Sequence, residues 1–175
     1  MTKKKYEALK RTKRKNSKAI GNNFQRRVAK LLNEKFETTD FQNTPGSGAY
    51  ATTHSLPEHL QIWGDLITPL NFAYVIECKF AYEDTIQDFY ALINPKSKIY
   101  EFIEQVERDA AASNKKPLLI YAQRRKPLVC FIRSNDELIS VLKQQQKKVL
   151  DGLDQYSMFL LEDLLELPSH LFYSL

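Results

Sequence analysis

Asp65, Glu77 and Lys79 stand in the stretch WGDLITPLNFAYVIECKF, residues 63–80, two acids and one ammonium in an otherwise apolar run. In a strand, residues two apart share a face about 6 to 7 Å apart, so Glu77 and Lys79 point one way while Ile76, Cys78 and Phe80 point the other. A turn near Asn71 makes the two β-prone runs of this stretch a hairpin, which brings Asp65 alongside Glu77. Carboxylates are hard oxygen ligands suited to Mg²⁺, assisted here by the Cys78 backbone carbonyl, with the ion keeping several waters. A water deprotonated at such an ion and oriented by Lys79 can attack a phosphodiester phosphorus in line, with cation and ammonium stabilising the added charge. The same pattern also fits a half-exposed hairpin with a cross-strand ion pair, and the three residues alone leave both readings open.

The flanking elements must position these groups. Ile20, Phe24, Val28, Leu31 and Leu32 recur at helical spacing and predict an amphipathic helix over about 19 to 36, with Arg26, Arg27 and Lys30 on its other face. DFQNT follows as a short strand, and PGSGAYATTHSLPEHLQ reads as a long loop of the kind usually kept for function. After a polar segment from Glu83 to Lys98, Ile99, Phe102, Ile103, Val106 and Ala110 mark a second helix that Pro117 bounds. LLIYAQ and LVCFI predict strands around RRKP; Ser134 and Glu137 suggest a capping box for a helix through about Val149; YSMFLLEDLLEL reads as a strand running into a short helix.

Charge is distributed unevenly. Residues 1–18 hold nine Lys or Arg against Glu7 alone, so the remaining chain is mildly acidic although the whole carries +5. Such a segment has too few apolar residues to fold alone and releases counterions on meeting a phosphate backbone. The expected organisation is a basic, flexible tail over 1–18 and a single domain over 19–175. Within the tail Lys13, Arg14 and Lys15 are candidate phosphate contacts, joined by Arg26 and Arg27 on the helix and by Ser47 between Gly46 and Gly48. Cys78 and Cys130 sit in strand-like apolar runs, which suits buried thiols in a reducing compartment. His54 and His59 flank Pro57 and do not form a rigid helical zinc pair, and no P-loop pattern calls for a nucleotide cofactor. No apolar run is long enough for a membrane span, so a cytoplasmic protein is expected.

Gly64 and Asp65, followed by Glu77, Cys78 and Lys79 on the next strand, resemble the PD-(D/E)xK nuclease superfamily, with Gly64 where a proline is usual. The neighbouring TPGSGAY is similar to the loop that precedes the aspartate in archaeal-type and phage Holliday-junction resolvases. The resemblance spans roughly Ala19 to Gln123. It implies a restriction-endonuclease-like α/β fold, an αβββαβ core whose central mixed sheet is flanked by helices, here with C-terminal β/α additions. It further implies Asp65 and Glu77 as metal ligands with the Cys78 carbonyl, Lys79 as the catalytic lysine, and Gln105 as the glutamine that some relatives place on the following helix. Many relatives carry a metal-binding glutamate on the first helix where this chain has Gln25, a weaker ligand.

The expected activity is therefore Mg²⁺-dependent endonucleolytic hydrolysis of DNA, with Mn²⁺ able to substitute, on four-way or otherwise branched DNA. A two-fold symmetric junction calls for a homodimer. The expected place of action is the cytoplasm, that of the host if the gene is phage-encoded. Alternatives are a restriction-like, homing or phage DNA-processing nuclease on duplex or flap DNA, a non-catalytic DNA-binding module retaining the fold, and an RNA-binding accessory protein using the basic tail.

Overall fold

The computed structural model describes residues 3–44, 63–81, 94 and 96–174, with side chains from Ser17 onward. The predicted long loop with Ser47, His54 and His59, and most of the polar segment after Tyr82, lie outside the described residues.

The first helix, α1, runs Lys3–Phe36 and so begins well before the predicted start near residue 19. Lys, Arg, Ala and Leu are strong helix formers, and their run lets the backbone continue through the basic stretch. Phe24, Val28 and Leu32 recur every four residues and are buried with Ala29 against the sheet. Glu37 ends the helix in a left-handed conformation, φ 52°. The Asn33 amide then grips Phe41 from both sides, donating to its carbonyl (2.9 Å) and accepting from its N–H (3.0 Å), which aims the chain into β1, Gln42–Asn43.

The hairpin expected between the two halves of the 63–80 stretch is replaced by a different pairing. β2, Leu66–Ile67, pairs antiparallel with β1, Asn43 opposite Leu66, in a small two-stranded sheet. β3, Tyr74–Ala81, instead pairs in parallel with β4, Lys116–Gln123, along its whole length, Glu77 opposite Leu119. Parallel strands need a long crossover. The helix in this crossover is α2, Lys98–Ser113, capped by the Ser97 side chain and closed by left-handed Asn114. Both β3 and β4 are covered on two faces, so their sequences read as nearly continuous apolar runs.

The remaining elements extend the sheet. β5 is Val129–Arg133, α3 Glu137–Gln144, β6 Leu150–Leu153, β7 Tyr156–Leu160, and α4 Leu161–Glu166, followed by a 3₁₀ turn at Ser169–Phe172. The five-stranded sheet has the order β3-β4-β5-β7-β6, with every pair after the first antiparallel. The elements up to β4 follow the expected αβββαβ order, and β5 to α4 are the C-terminal additions.

The core lies in two layers. Ile76, Cys78, Leu118, Ile120 and Cys130 pack toward α1, whereas Val75, Leu119, Tyr121 and Phe131 pack toward Ile99, Ile103 and Val106 of α2. At one end Phe36, Phe41, Phe72 and Phe172 form an aromatic cluster, with Phe72 and Phe172 stacked at 6.2 Å. Backbone bonds from Ala73 to Phe172 (2.8 Å) and from Ser174 to Asn71 (2.8 Å) fasten the C-terminal segment to the start of β3.

Two local expectations are corrected. The cap of α3 is Asp136, whose carboxylate accepts from the Leu138 N–H (3.0 Å), and not Ser134, whose hydroxyl accepts from Ser157 (2.8 Å). The charged oxygen lies closest to the free N–H groups and wins them. The helix also stops at Gln144 rather than near Val149, because Gln145 to Lys148 offer no apolar side chain to bury, and β6 begins at Leu150 instead.

Asp136 joins three elements at once, since it also accepts from the buried Tyr74 hydroxyl (2.8 Å) and pairs with Lys116 (3.2 Å). Asp136→Ala is expected to cost about 2 to 4 kcal/mol, the sum of a lost cap and an orphaned buried hydroxyl. Urea unfolding checks this, with Tyr74→Phe added to Asp136→Ala recovering part of the loss.

Candidate active site

β3 builds the site from both its faces and its free edge. The strand alternation sends Glu77 and Lys79 toward α2 and places Cys78 in the α1 layer. On the edge away from β4, the Ile76 carbonyl accepts from the Asp65 N–H (2.9 Å) and the Cys78 N–H donates to Asp65 Oδ2 (2.9 Å). A residue's N–H and C=O leave a strand on the same side, so the Cys78 carbonyl faces this edge as well. Asp65 thus meets Glu77 without the predicted ladder.

Gly64 makes that approach possible. Its φ is +73°, and a Cβ there would lie 2.6 Å from the Ile76 carbonyl oxygen and 2.9 Å from Val75 Cγ2. Proline, locked near −65°, cannot take this conformation. The departure from the usual proline therefore has a backbone cause.

The carboxylates are deeply buried, Asp65 6% exposed and Glu77 1%, so neither is the solvent-facing member of a surface hairpin. Gln105 on α2 donates to Glu77 Oε1 (2.8 Å) and accepts from Lys79 Nζ (2.9 Å), and Lys79 forms an ion pair with Glu77. Lys79 Nζ also lies 5.4 Å from the centre of the Phe102 ring. Burial first, and then the Asp65 charge, push the Glu77 carboxyl up to about 8, while Lys79 pulls it down. Burial pushes the Cys78 thiol well up too, so it stays protonated.

Asp65, Glu77 and Lys79 are therefore brought together as the spacing implied, and Gln105 joins them as the resemblance implied. Gln25 is buried on α1, and its side-chain carbonyl accepts from the Asn43 amide (3.2 Å), which also donates to the Asn22 carbonyl (3.3 Å). Asn43 Oδ1 is buried without a hydrogen-bond partner. Arg26 and Arg27 are exposed on α1. Lys13, Arg14 and Lys15 belong to the helical backbone of α1, but their side chains, like all of Ser47, lie outside what is described. A groove of about 840 Å³ beside α1 is lined by Arg26 and Lys30 but also by Glu34 and Glu37, and by neither Asp65 nor Glu77.

Sequence reasoning missed Asp109. It lies one helical turn beyond Gln105 on α2, partly buried; burial raises its carboxyl, while the nearby Gly64 backbone and the charges of Arg108 and Lys79 lower it. The i, i+4 spacing from Gln105 was the available signal.

The donor set fits a divalent cation that prefers oxygen and retains water. Two adjacent buried carboxylates repel each other, and a cation between them would relieve it. Among the described residues no three His, Cys, Asp or Glu side chains cluster.

The sequence pattern of a family described as "Phage putative PDDEXK endonuclease" matches residues 16–160. The chain belongs to this family, and so to the PD-(D/E)xK nuclease superfamily, and its mixed five-stranded sheet with flanking helices is compatible with the restriction-endonuclease-like fold. No curated protein and no solved structure matches.

Two outcomes are expected of this geometry. Gly64→Ala should lose about 2 to 4 kcal/mol in denaturant unfolding, the sum of left-handed strain and overpacking against β3. Glu77→Gln should stabilise the metal-free protein by on the order of 1 kcal/mol at neutral pH. An acid whose folded value is raised costs stability as pH climbs between the unfolded and folded values, here from 4.5 towards about 8. The gain should therefore vanish below pH 4.5, and melting of both proteins in EDTA across pH 4 to 8 measures it.

Proposed function

We propose that this chain is a metal-dependent DNA endonuclease that hydrolyses phosphodiester bonds at the Asp65–Glu77–Lys79 cluster. The observation that carries the reading is the convergence of two buried carboxylates and an ammonium at one strand edge, in a member of an endonuclease family. Asp65, Glu77 and the Cys78 carbonyl would hold Mg²⁺, or Mn²⁺ in its place. The bound cation supplies Lewis acidity and a nucleophilic water at neutral pH.

The chain's own groups do the rest. Lys79 pairs with Glu77 in this structure, and with Glu77 serving as a ligand the ammonium would be free to face the scissile phosphate and the attacking oxygen. Gln105 holds both side chains by its amide and keeps the lysine beside the carboxylate it has left. Lys79 then balances the charge that builds on the phosphoryl oxygens in the transition state. Arg26 and Arg27, together with the basic run containing Lys13, Arg14 and Lys15, provide contacts for the phosphate backbone on either side, with Ser47 as a further backbone contact.

The substrate we favour is branched DNA, a four-way junction above all, supported by the TPGSGAY resemblance. Such a substrate presents two equivalent strands to cut and so calls for two copies of the chain. A second reading, favoured by the family's general description as a phage endonuclease, is a DNA-processing nuclease acting on duplex or flap DNA in the host cytoplasm.

Cleavage of labelled junction, flap and linear duplex with Mg²⁺, Mn²⁺ or EDTA tests this. Junction cutting should require metal and fall at least about 100-fold in Lys79→Ala and Asp65→Asn. Cutting of duplex or flap alone moves the substrate to the second reading, and DNA binding without cutting under any metal overturns the nuclease assignment.

A further inference from the structure

The Lys79 ammonium has a neighbour that the chemistry proposed above leaves unused. Besides meeting Glu77 and Gln105, it stands over the ring of Phe102, 5.4 Å from the centroid. Phe102 is partly buried and packs against the α2 layer of the core. It lies three residues before Gln105 on α2, so the two share a helix face and meet the lysine together. Packing alone would need only an apolar side chain at this position. A ring presenting its face to a cation does more, because that face is electron-rich and attracts an ammonium within about 6 Å.

These partners differ in what they do once a divalent cation is bound. Glu77 would direct its charge to the metal, and its pair with Lys79 would weaken. Gln105 accepts one of the ammonium's three N–H groups. The ring carries no net charge and no strong acceptor, so it neither neutralises the lysine nor competes with a phosphate oxygen for the remaining donors. It also covers one side of an ammonium whose side chain is 24% exposed. Lysine carries its charge on a flexible four-carbon stem, which could swing toward solvent once Glu77 is engaged.

We propose that Phe102 is a positioning residue: its ring face holds the Lys79 ammonium in place while Glu77 serves the cation, so that the free N–H groups are directed at the scissile phosphate. The proposal rests on Lys79 acting in phosphodiester cleavage.

The test uses the full chain with Phe102 replaced by mono-, di- and trifluorinated phenylalanine, which keep the shape of the ring while draining its face of negative charge. Phe102→Tyr, Phe102→Leu and Lys79→Ala accompany them. Single-turnover cleavage of labelled four-way junction, flap and linear duplex in Mn²⁺, across a range of enzyme concentrations, separates the cleavage rate from DNA affinity. On whichever substrate wild type cuts, the rate should fall stepwise with fluorination, by about threefold to thirtyfold in the trifluorinated protein, with DNA affinity unchanged. Phe102→Tyr should stay near wild type, and Phe102→Leu should fall as far as the trifluorinated ring. In EDTA, the Lys79 ε-methylene protons should lie upfield of an ordinary lysine in wild type and in the fluorinated proteins, and return to the ordinary position in Phe102→Leu. A rate unchanged across the fluorinated series overturns the proposal, as does an ordinary Lys79 ε-methylene position in wild type. Loss of DNA affinity at an unchanged rate gives the ring to a base and overturns it equally. Should Phe102→Leu not fold, the fluorinated series decides alone, since its members are close in shape to the native ring. Lys79→Ala separates the two levels. If it cuts like wild type, or if wild type cuts nothing, the role of Lys79 fails and takes this one with it, whereas a large loss in Lys79→Ala with none in the fluorinated proteins sinks only the role of Phe102.

Discussion

Two carboxylates share one buried corner at the free edge of β3, and keeping them there is the constraint around which the surrounding elements are arranged. Asp65 reaches Glu77 because β3 leaves a carbonyl and an N–H unpaired beside β4, and the Gly64 turn lays Asp65 across both. Removing such charges from water costs several kcal/mol each unless they are paired and hydrogen-bonded. Lys79, Gln105 and the Cys78 N–H offset that cost only in part, as the raised Glu77 carboxyl shows. A cation between the two carboxylates would relieve that unfavourable charge.

The cost of the corner is balanced elsewhere. Parallel pairing with β4 over eight residues, two apolar layers, and the aromatic cluster at the start of β3 hold the strand rigid beneath its charged middle. The C-terminal turn contributes directly, since Phe172 stacks on Phe72 and its carbonyl accepts from Ala73. The additions beyond β4 thus brace the strand that carries Glu77 and Lys79, in addition to widening the sheet.

The first helix joins the two kinds of surface. Its C-terminal half buries Phe24, Val28 and Leu32 against the sheet, and its N-terminal half continues the same helix through the most basic part of the chain. Gln25 sits on the buried side of this helix, its carbonyl occupied by the Asn43 amide of β1.

The sequence by itself marked which residues are the candidates for the chemistry. Period-two alternation put Glu77 and Lys79 on one face, the helical repeat of Ile99, Ile103 and Val106 marked the helix on which Gln105 lies, and the apolar runs identified β4, β5 and β7. Each of these is a local pattern, read from neighbours along the chain. The partner of each strand was not legible, because pairing is settled by which long-range surfaces bury best. So β3 joined β4 rather than β2, and a carboxylate expected on a hairpin face became a buried one. The Asp136 cap, the short α3 and β6 were decided by competition between nearby polar groups that differ little in sequence signal.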